Sequence, residues 1–350
     1  MITYLILRNP GHNRVYYHQS EKLALAELKI AALAMDQDCS DIQPQVIAGI
    51  SYLSFSVDTE LSAVNLAILA RLSFIFALFV QQDEGAAVTL VPLEIPSYEY
   101  IDPKISSLLK YSGKTNEIFT RMMINVALLS SGYDLSQKIQ LLDPVAGKGT
   151  SLYEAAISGF NATGVEIDRN LAHETTVFFK KYLEREKYKH SLVKNRVYNG
   201  SGTKESYVQH FEYAATKEEF KTESTRKTLD IIAGTALHSK RYFKDEKFHL
   251  IVGDLPYGIA HGNVANKKHG SKTRSPSELL LTCLPDWYKI LKEQGALVLA
   301  WNTFVLPRLE LVKLLEQNGF KVLKSSPYDE FTHRVDQSIK RDIVVALKVS

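Results

Sequence analysis

Hydrophobic positions in the first hundred residues alternate between strand-like and helical spacing. Residues 4–7 form a short apolar run, residues 20–35 have helical spacing with Ser20 as the expected N-cap, and residues 50–57 look extended. A helix and a strand between 60 and 80 complete the pattern. The order β-α-β-α-β predicts a small α+β domain of ferredoxin-like kind.

An apolar segment over residues 61–80 has the length of a membrane span. Arg71 lies in its middle, and a charged side chain is costly in the core of a bilayer. The favoured interpretation is therefore an amphipathic helix over about 60–71 that runs into a buried strand over 73–80. We expect no membrane association.

A proline-marked stretch over residues 91–104 separates this unit from the rest, so we expect domains at 1–95 and 105–350. In the second domain strands alternate with helices, which is typical of a doubly wound α/β fold with a parallel sheet. The predicted elements are helix 116–131, strand 139–143, helix 149–159, strand 163–167, strand 248–253, helix 276–292, strand 295–301, helix 307–318 and paired final strands near 320–325 and 341–348.

Residues 170–230 interrupt this alternation and are expected to form a basic helical insertion. Between Lys180 and Lys227 the chain carries 12 Lys and Arg residues against 7 Glu residues, a local excess larger than the +3 of the whole chain. Such an excess is typical of a solvated helical extension, and it also suits an arm that contacts phosphates.

The overall balance of 42 basic and 39 acidic residues neither requires nor excludes a polyanionic partner. Cys39 and Cys283 are far apart and lack metal-binding spacing, so we expect neither a disulfide framework nor a metal site. The first ten residues do not have the pattern of a signal peptide. These features favour the cytoplasm.

A motif with clear chemical meaning follows the strand at 139–143. The segment LLDPVAGKGT ends this strand in Asp143 and Pro144 and turns through Gly147 and Gly149 into a helix that begins near Thr150. Glycine lets the backbone pass close to a ligand, and the first turn of the helix offers unpaired N–H groups. The segment indicates a nucleotide-type binding turn.

Glu166 supports this interpretation, since it ends the next strand at the spacing where an acidic side chain accepts from ribose hydroxyls. NAD binding is disfavoured because the turn lacks the third glycine of GxGxxG. A P-loop is disfavoured because Gly149 follows Lys148, and because Leu108 stands where a P-loop ending in Gly113-Lys114-Thr115 needs its first glycine. An α/β unit without a ligand stays open.

A second motif, Asp254-Leu255-Pro256-Tyr257-Gly258, follows the strand at 248–253. A base amino group is a poor nucleophile because its lone pair is delocalised into the ring. The Asp254 side chain and a neighbouring backbone carbonyl can accept its two N–H bonds, and Tyr257 can stack on a base that has left its helix. Taken alone, the segment also suits an ordinary turn at the end of a strand.

Together these motifs resemble those of the amino-methylating nucleic-acid methyltransferases. The pattern from about Tyr111 onward is most similar to the tRNA guanine-N2 methyltransferase family of archaea, eukaryotes and bacterial relatives, although Leu255 stands where proline is usual. The resemblance implies a Rossmann-like class I methyltransferase domain, with the segment from Asp254 to Tyr257 as the catalytic loop. It also implies S-adenosyl-L-methionine as cofactor.

Within the donor site, the resemblance implies that Asp143 lies near the methionine amino group and Glu166 on the ribose. An Asp usually follows the next strand, near the adenine. Here Thr235 and its neighbour Ala236 occupy that place. The remaining donor-site candidates are the neighbours of these positions: Pro144, Gly147, Gly149, Thr150 and Ile167.

Known members of the family carry an RNA-binding THUMP domain, for which this chain has no room. A loop over 259–277 could compensate, since no acidic residue occurs from Leu255 to Ser277. Its cations are the candidate substrate contacts, with a mobile solvated loop as the alternative. They are Lys267, Lys268, Lys272 and Arg274.

Two further segments are candidates. Thr115, Asn116 and Phe119 lie where related enzymes complete the donor site, with helix capping as the alternative. Arg334 and Gln337 lie between the last two strands, at the predicted ligand-binding edge of the sheet, with a surface turn as the alternative.

The sequence therefore predicts a methyltransferase that modifies an exocyclic amino nitrogen of an RNA base, guanine N2 in tRNA or rRNA. A DNA adenine-N6 or cytosine-N4 methyltransferase is the nearest rival, since the same loop serves those amines. A non-catalytic RNA-binding protein, or an enzyme that acts on a small molecule or a protein glutamine, stays open. No protein partner is indicated.

Overall fold

The computed structural model describes residues 1–10, 14–84, 87–109, 114–197, 206–256 and 276–349. Its N-terminal part is a five-stranded antiparallel sheet in the order β2-β3-β1-β4-β5, the ferredoxin-like arrangement with β5 added at one edge. Its elements are β1 Ile2–Arg8, α1 Arg14–Leu33, β2 Ser40–Ile47, β3 Ile50–Val57, α2 Ala63–Ala70, β4 Ile75–Glu84 and β5 Ala87–Leu93.

Two details of the predicted N-terminal pattern are wrong. Helix α1 begins at Arg14 rather than after Ser20, and β2 was missed. Most side chains of β2 are exposed or half-exposed, because β2 is an edge strand, so its sequence lacks the apolar alternation that marks a buried face. Pro44 within it is also typical of an edge strand.

The apolar segment 61–80 divides as expected into α2 and β4. Within the described ranges, no helix is long and apolar enough to cross a membrane.

The C-terminal part is built on a second sheet, and the predicted class I methyltransferase fold is confirmed. Its elements are α3 Lys104–Leu108, α4 Glu117–Ser130, β6 Gln140–Asp143, α5 Thr150–Ile157, β7 Asn161–Glu166, α6 Arg169–Arg185, β8 Lys189–Val197, β9 Ser206–Ala214, α7 Lys217–Lys221, β10 Lys227–Ala233, β11 Phe248–Asp254, α8 Pro276–Ile290, β12 Leu291–Asn302, α9 Arg308–Gln317, β13 Phe320–Leu323, β14 His333–Arg334 and β15 Lys340–Lys348.

The order of this sheet is β13-β15-β12-β11-β6-β7-β10-β9-β8, with β14 paired to β15. Strands β10, β7, β6, β11 and β12 are parallel, whereas β15 runs antiparallel between β12 and β13. The chain winds from β6 toward β7 and β10, and then returns to β11 on the other side of β6. Open α/β sheets bind ligands at such a reversal, outside the carboxyl ends of the strands.

The helical insertion predicted over 170–230 is wrong. Helix α6 is an ordinary crossover helix, and β8 and β9 form an antiparallel pair that extends the sheet beyond β10. Several of its charges are paired within the segment, as in the Arg226–Glu212 ion pair at 3.1 Å. Polar and charged residues along β8 and β9 interrupt the apolar alternation on which a strand prediction depends.

The two sheets meet at a shared core. Helix α1 packs one side against the N-terminal sheet, while Leu23, Ala26 and Ile30 join the core of the second sheet. Fully buried Glu27 accepts from Ser73 Oγ and, over 2.8 Å, from Asn125 Nδ2 of α4. The change of sheet falls within the proline-marked stretch; the domain limits at 95 and 105 stay a prediction.

Candidate active site

A cavity of about 390 Å³ opens at the carboxyl ends of β6 and β11, where the strand order reverses. Its volume falls within the roughly 300–1,000 Å³ of small-molecule sites. Asp143 from the end of β6 and Asp254 from the end of β11 both line it, and α4 contributes Thr120 and Met123. The two sequence motifs therefore meet in one cavity.

The turn after β6 needs its glycines. Gly147 has φ +52° and Gly149 has φ +83°, in the left-handed region that favours glycine. A Cβ on Gly147 would meet no atom within 4 Å, whereas one on Gly149 would lie 2.8 Å from Thr175 Cγ2. Gly147 thus leaves room in the cavity, and Gly149 allows α5 to begin close to α6.

Asp143 is 5% exposed, so its carboxylate meets little water. Its Oδ1 accepts from the Val145 backbone N–H over 2.9 Å, and its Oδ2 accepts from the Ser151 hydroxyl. Burial raises the pKa of Asp143 to about 7, and the nearby charges of Asp254 and Glu166 add to the rise. A cationic ligand would offset this cost.

Glu166 at the end of β7 is tied to the glycine turn. It accepts from the backbone N–H of Gly147 over 2.8 Å and from that of Asp168 over 2.7 Å. Burial raises the pKa of Glu166 as well. Each carboxylate oxygen has two lone pairs, so these bonds leave acceptor capacity for hydroxyl donors.

In the loop after β11, Leu255 makes contacts that the proline expected from the sequence resemblance could not make. The Leu255 N–H donates to the Ala300 carbonyl over 2.8 Å, a bond that proline cannot make. The Leu255 side chain is 1% exposed and packs in the core on the α8 side of the sheet. Pro256 is exposed at the cavity rim. The hydrogen bond and the packing of Leu255 thus fix the loop, as the ring of a proline would at this position.

Two side chains from other elements reach Asp254. Thr115 Oγ1 donates to Asp254 Oδ2 over 2.7 Å, and Arg341 Nη2 of β15 lies 4.0 Å from the same oxygen. Thr115 was a sequence candidate for the donor site. Arg341 was not a candidate, although it ends the segment in which Arg334 and Gln337 were proposed.

The other two candidates near Thr115 have structural contacts. Asn116 is the N-cap of α4, since its Oδ1 accepts from the Ile118 and Phe119 N–H groups. Phe119 is fully buried, and its ring centroid lies 4.6 Å from the Arg341 guanidinium. The capping alternative thus describes Asn116, and Phe119 is a core residue in contact with Arg341.

Thr235 and Ala236 follow β10 at the same sheet edge, where the Gly234 N–H donates to the Glu166 carbonyl over 2.9 Å. The Thr235 hydroxyl caps a short helical turn by accepting from Leu237, and Ala236 is buried. Ile167, beside Glu166, is 74% exposed. Pro144 follows Asp143, and Thr150 lines the cavity.

Arg334 is the last residue of β14, and Gln337 lies in the exposed turn between β14 and β15. Arg334 Nη2 donates to the Gln337 carbonyl over 2.9 Å. This contact is the kind expected from the surface-turn alternative. The turn joins the sheet next to Arg341, which faces His333 across the strand pair. Five candidates lie outside the described residues: Tyr257, Lys267, Lys268, Lys272 and Arg274.

Sequence reasoning missed contacts that depend on distant parts of the chain. Ser151, which donates to Asp143, is the exception: it lies only eight positions after Asp143, and a hydroxyl so near in the chain was a signal that could have been used. Arg341 gave no such signal, because its approach to Asp254 depends on the pairing of β15 with β12.

The sheet order, the glycine turn and the acidic strand ends define a class I methyltransferase. The chain belongs to the family described as RMKL-like, methyltransferase domain, whose model matches residues 121–299, just over half of the chain. The cofactor is accordingly S-adenosyl-L-methionine. The residues present fit it, because its ammonium and sulfonium charges suit a cavity in which burial and crowding raise the pKa of Asp143 to about 7.

Three solved structures illustrate the likeness. TrmN from Thermus thermophilus is 12% identical with a TM-score of 0.43, and all of both chains is covered. A TehB-like SAM-dependent methyltransferase from Corynebacterium glutamicum is 13% identical over 61% of this chain and 81% of its own, with a TM-score of 0.34.

An rRNA methylase from Streptococcus thermophilus is 11% identical over 61% of this chain and 88% of its own, with a TM-score of 0.35. A comparison with curated proteins finds no match.

Proposed function

We propose that this methyltransferase modifies an exocyclic amino nitrogen of an RNA base, guanine N2 in tRNA or rRNA. The observation that carries the proposal is the shared cavity of Asp143 and Asp254. One carboxylate suits the donor, and the other stands at the strand end where an amine acceptor would enter.

On the donor side, Asp143 would accept from the ammonium group and Glu166 from the ribose hydroxyls. When bound, the cofactor supplies an electrophilic methyl group. The glycine turn leaves space beside Gly147, and the first N–H groups of α5 would donate to polar ligand atoms. Thr235 and Ala236 would border the adenine, and Pro144, Gly149, Thr150 and Ile167 would complete the wall.

On the acceptor side, Asp254 and a backbone carbonyl of the loop over Leu255 and Pro256 would accept the two N–H bonds of the amine. Both contacts favour a tetrahedral nitrogen whose lone pair points at the methyl group. The new N–C bond would replace the bond between the methyl group and the donor sulfur, which leaves as the thioether of S-adenosylhomocysteine. The nitrogen would lose one proton, which Asp254 would accept directly or through water. Tyr257 would stack on the base.

RNA as substrate is supported by the sequence that follows this loop. Lys267, Lys268, Lys272 and Arg274 occur in a stretch without acidic residues directly after the catalytic loop, where they could contact phosphates. Arg334 and Gln337 would add contacts from the neighbouring turn of β14 and β15.

The test is methyl transfer from labelled S-adenosyl-L-methionine to total RNA of a deletion strain, followed by mass spectrometry of the nucleosides. We expect N2-methylguanosine to appear. A different methylated nucleoside would overturn the guanine assignment, and transfer to DNA alone would overturn RNA as the substrate.

The matched variants are Asp254→Ala and Asp254→Asn. Asp254→Ala removes both acceptor oxygens and should abolish transfer, while Asp254→Asn keeps one acceptor and should retain a small fraction. Both should bind S-adenosylhomocysteine as the wild type does, which calorimetry measures. Full transfer by Asp254→Ala would contradict the proposed role of this residue.

A further inference from the structure

The Asp254 carboxylate is approached by side chains from two distant parts of the chain, and both reach the same oxygen. Thr115 Oγ1 donates to Oδ2 over 2.7 Å, and Arg341 Nη2 lies 4.0 Å from Oδ2. A hydrogen bond to one carboxylate oxygen restricts rotation of the carboxylate and so fixes the direction of the other oxygen.

Thr115 is held in place by its two neighbours. Lys114 pairs with Glu117 over 3.2 Å and donates to the Ser106 carbonyl, and Asn116 caps α4. The segment between them has little freedom, and Thr115 lines the cavity. Its hydroxyl therefore serves Asp254 without an ordering cost at the moment of reaction.

Arg341 is held by the core. It is 7% exposed, and its backbone pairs with Asn302 of β12. Its guanidinium lies 4.6 Å from the ring centroid of fully buried Phe119. The charge thus stands between an aromatic face and a carboxylate, where water is scarce and electrostatic attraction is strong.

We propose that Thr115 and Arg341 are positioning residues that anchor Asp254 through Oδ2, so that the carboxylate meets the acceptor amine in one orientation. This inference rests on the proposed function, in which Asp254 accepts from that amine. If the two residues only stabilised the fold, their substitution would lower methyl transfer and donor binding alike.

The first test compares Thr115→Val, which keeps the shape and loses the hydroxyl, with Thr115→Ser, which keeps the hydroxyl. Loss of a hydrogen bond to a charged group predicts a fall in kcat of about 10- to 100-fold for Thr115→Val. Thr115→Ser should recover at least about a third of the wild-type kcat. The Kd of S-adenosylhomocysteine should stay within about twofold in both variants.

The control for the loss of a threonine hydroxyl is Thr59→Val, an exposed position in the N-terminal part. Its kcat should match the wild type. The second test compares Arg341→Met with Arg341→Lys. We expect Arg341→Met to lower kcat at least about tenfold and Arg341→Lys to recover only part, because an ammonium lacks the planar face that lies against Phe119. Thermal melting identifies any variant that fails to fold.

Equal losses in Thr115→Val and Thr115→Ser would overturn the proposal, as would a loss of donor affinity as large as the loss of kcat. If the wild type methylates DNA and not RNA, the proposed substrate fails, and the same comparison on DNA decides the inference.

If the wild type methylates neither polymer, crystal structures of the Thr115 variants decide. An Asp254 carboxylate turned away only in Thr115→Val supports the anchoring role. An unchanged Asp254 in both variants overturns it.

Discussion

At the scale of single residues, buried and half-buried acidic side chains dominate the site. Asp143 and Glu166 both have a raised pKa, with burial as the main cause in each. Their positions at the ends of β6 and β7 follow from the sequence, whereas their burial depends on the helices that cover the sheet. The affinity of the site for a cation should therefore depend on pH.

We expect the affinity for S-adenosylhomocysteine to fall about tenfold between pH 8 and pH 6, because the ligand ammonium needs an ionised Asp143, whose pKa is about 7. Calorimetry across this range measures it. Asp143→Asn should bind weakly and without this pH dependence. A wild-type Kd that stays constant from pH 6 to pH 8 would contradict the assigned partner of Asp143.

The raised pKa of Asp143 also affects the stability of the protein without ligand. The pKa of Asp143 in the folded protein is above its ordinary value, so its favourable contribution is present at acid pH and is lost as pH rises through about 7. We expect Asp143→Asn to melt at a higher temperature than the wild type at pH 8. The difference should shrink toward pH 5.

Leu255 stands where the sequence resemblance leads one to expect proline, and its contacts allow a test of what leucine contributes there. Leu255→Pro would lose the N–H bond to Ala300 and part of a fully buried side chain, at a cost of about 2–4 kcal/mol in the free energy of unfolding. Leu255→Met keeps both and should cost less than about 1.5 kcal/mol. Urea unfolding measures both; equal stability of the proline variant would refute this account.

At the scale of elements, α4 connects the junction of the two sheets to the active site. Its N-terminus follows Thr115, Phe119 lies under Arg341, and Asn125 donates to Glu27 of α1. The sequence predicted this helix almost to the residue, because its buried face has regular apolar spacing. The partner that each polar residue would meet was not predictable from the helix itself.

The next prediction concerns the stability of variants at buried Glu27. Glu27→Gln can keep the contacts with Ser73 and Asn125 without burying a charge, so we expect a stability equal to or above that of the wild type. Burial raises the pKa of Glu27, so any gain should grow toward alkaline pH. Glu27→Ala leaves buried donors unpaired and should cost about 3 kcal/mol.

Thermal melting compares the two Glu27 variants under one set of conditions. If Glu27→Ala is as stable as the wild type, the network at the junction has no energetic role.

At the scale of the whole molecule, helix α1 belongs to both cores, so we expect the chain to unfold in one transition. Trp287 and Trp301, the two tryptophans, are both buried in the C-terminal part. Their fluorescence therefore reports on that part alone. Substitutions in the N-terminal part should nevertheless shift the unfolding midpoint that this fluorescence reports.

Ile30→Ala removes a side chain of α1 from the core of the second sheet, whereas Leu53→Ala changes only the N-terminal core. Each should lower the free energy of unfolding by about 2–4 kcal/mol. Under one cooperative transition, both variants shift the tryptophan midpoint in urea. If only Ile30→Ala shifts it, the two parts unfold separately.

The sequence by itself determined the elements whose faces are buried and the residues that end them. Apolar periodicity predicted α4, β6, β7 and β11, and the glycine turn and acidic strand ends predicted the donor site. Where exposed or charged residues hide that periodicity, the prediction failed, as at β2 and at the pair of β8 and β9. The side chains of β2 are exposed or half-exposed, and polar residues such as Gln209 take buried positions in β9, so neither stretch shows the apolar alternation of a half-buried strand.

Only the tertiary structure decided which side chains share the cavity with those motifs. Thr115 and Asp254 are 139 positions apart, and Arg341 reaches Asp254 because β15 pairs with β12. The tertiary structure also decided that Asn116 caps α4 and that the Leu255 N–H donates to the Ala300 carbonyl of β12. Contacts of this kind depend on sheet order and helix packing, which no local pattern of residues encodes.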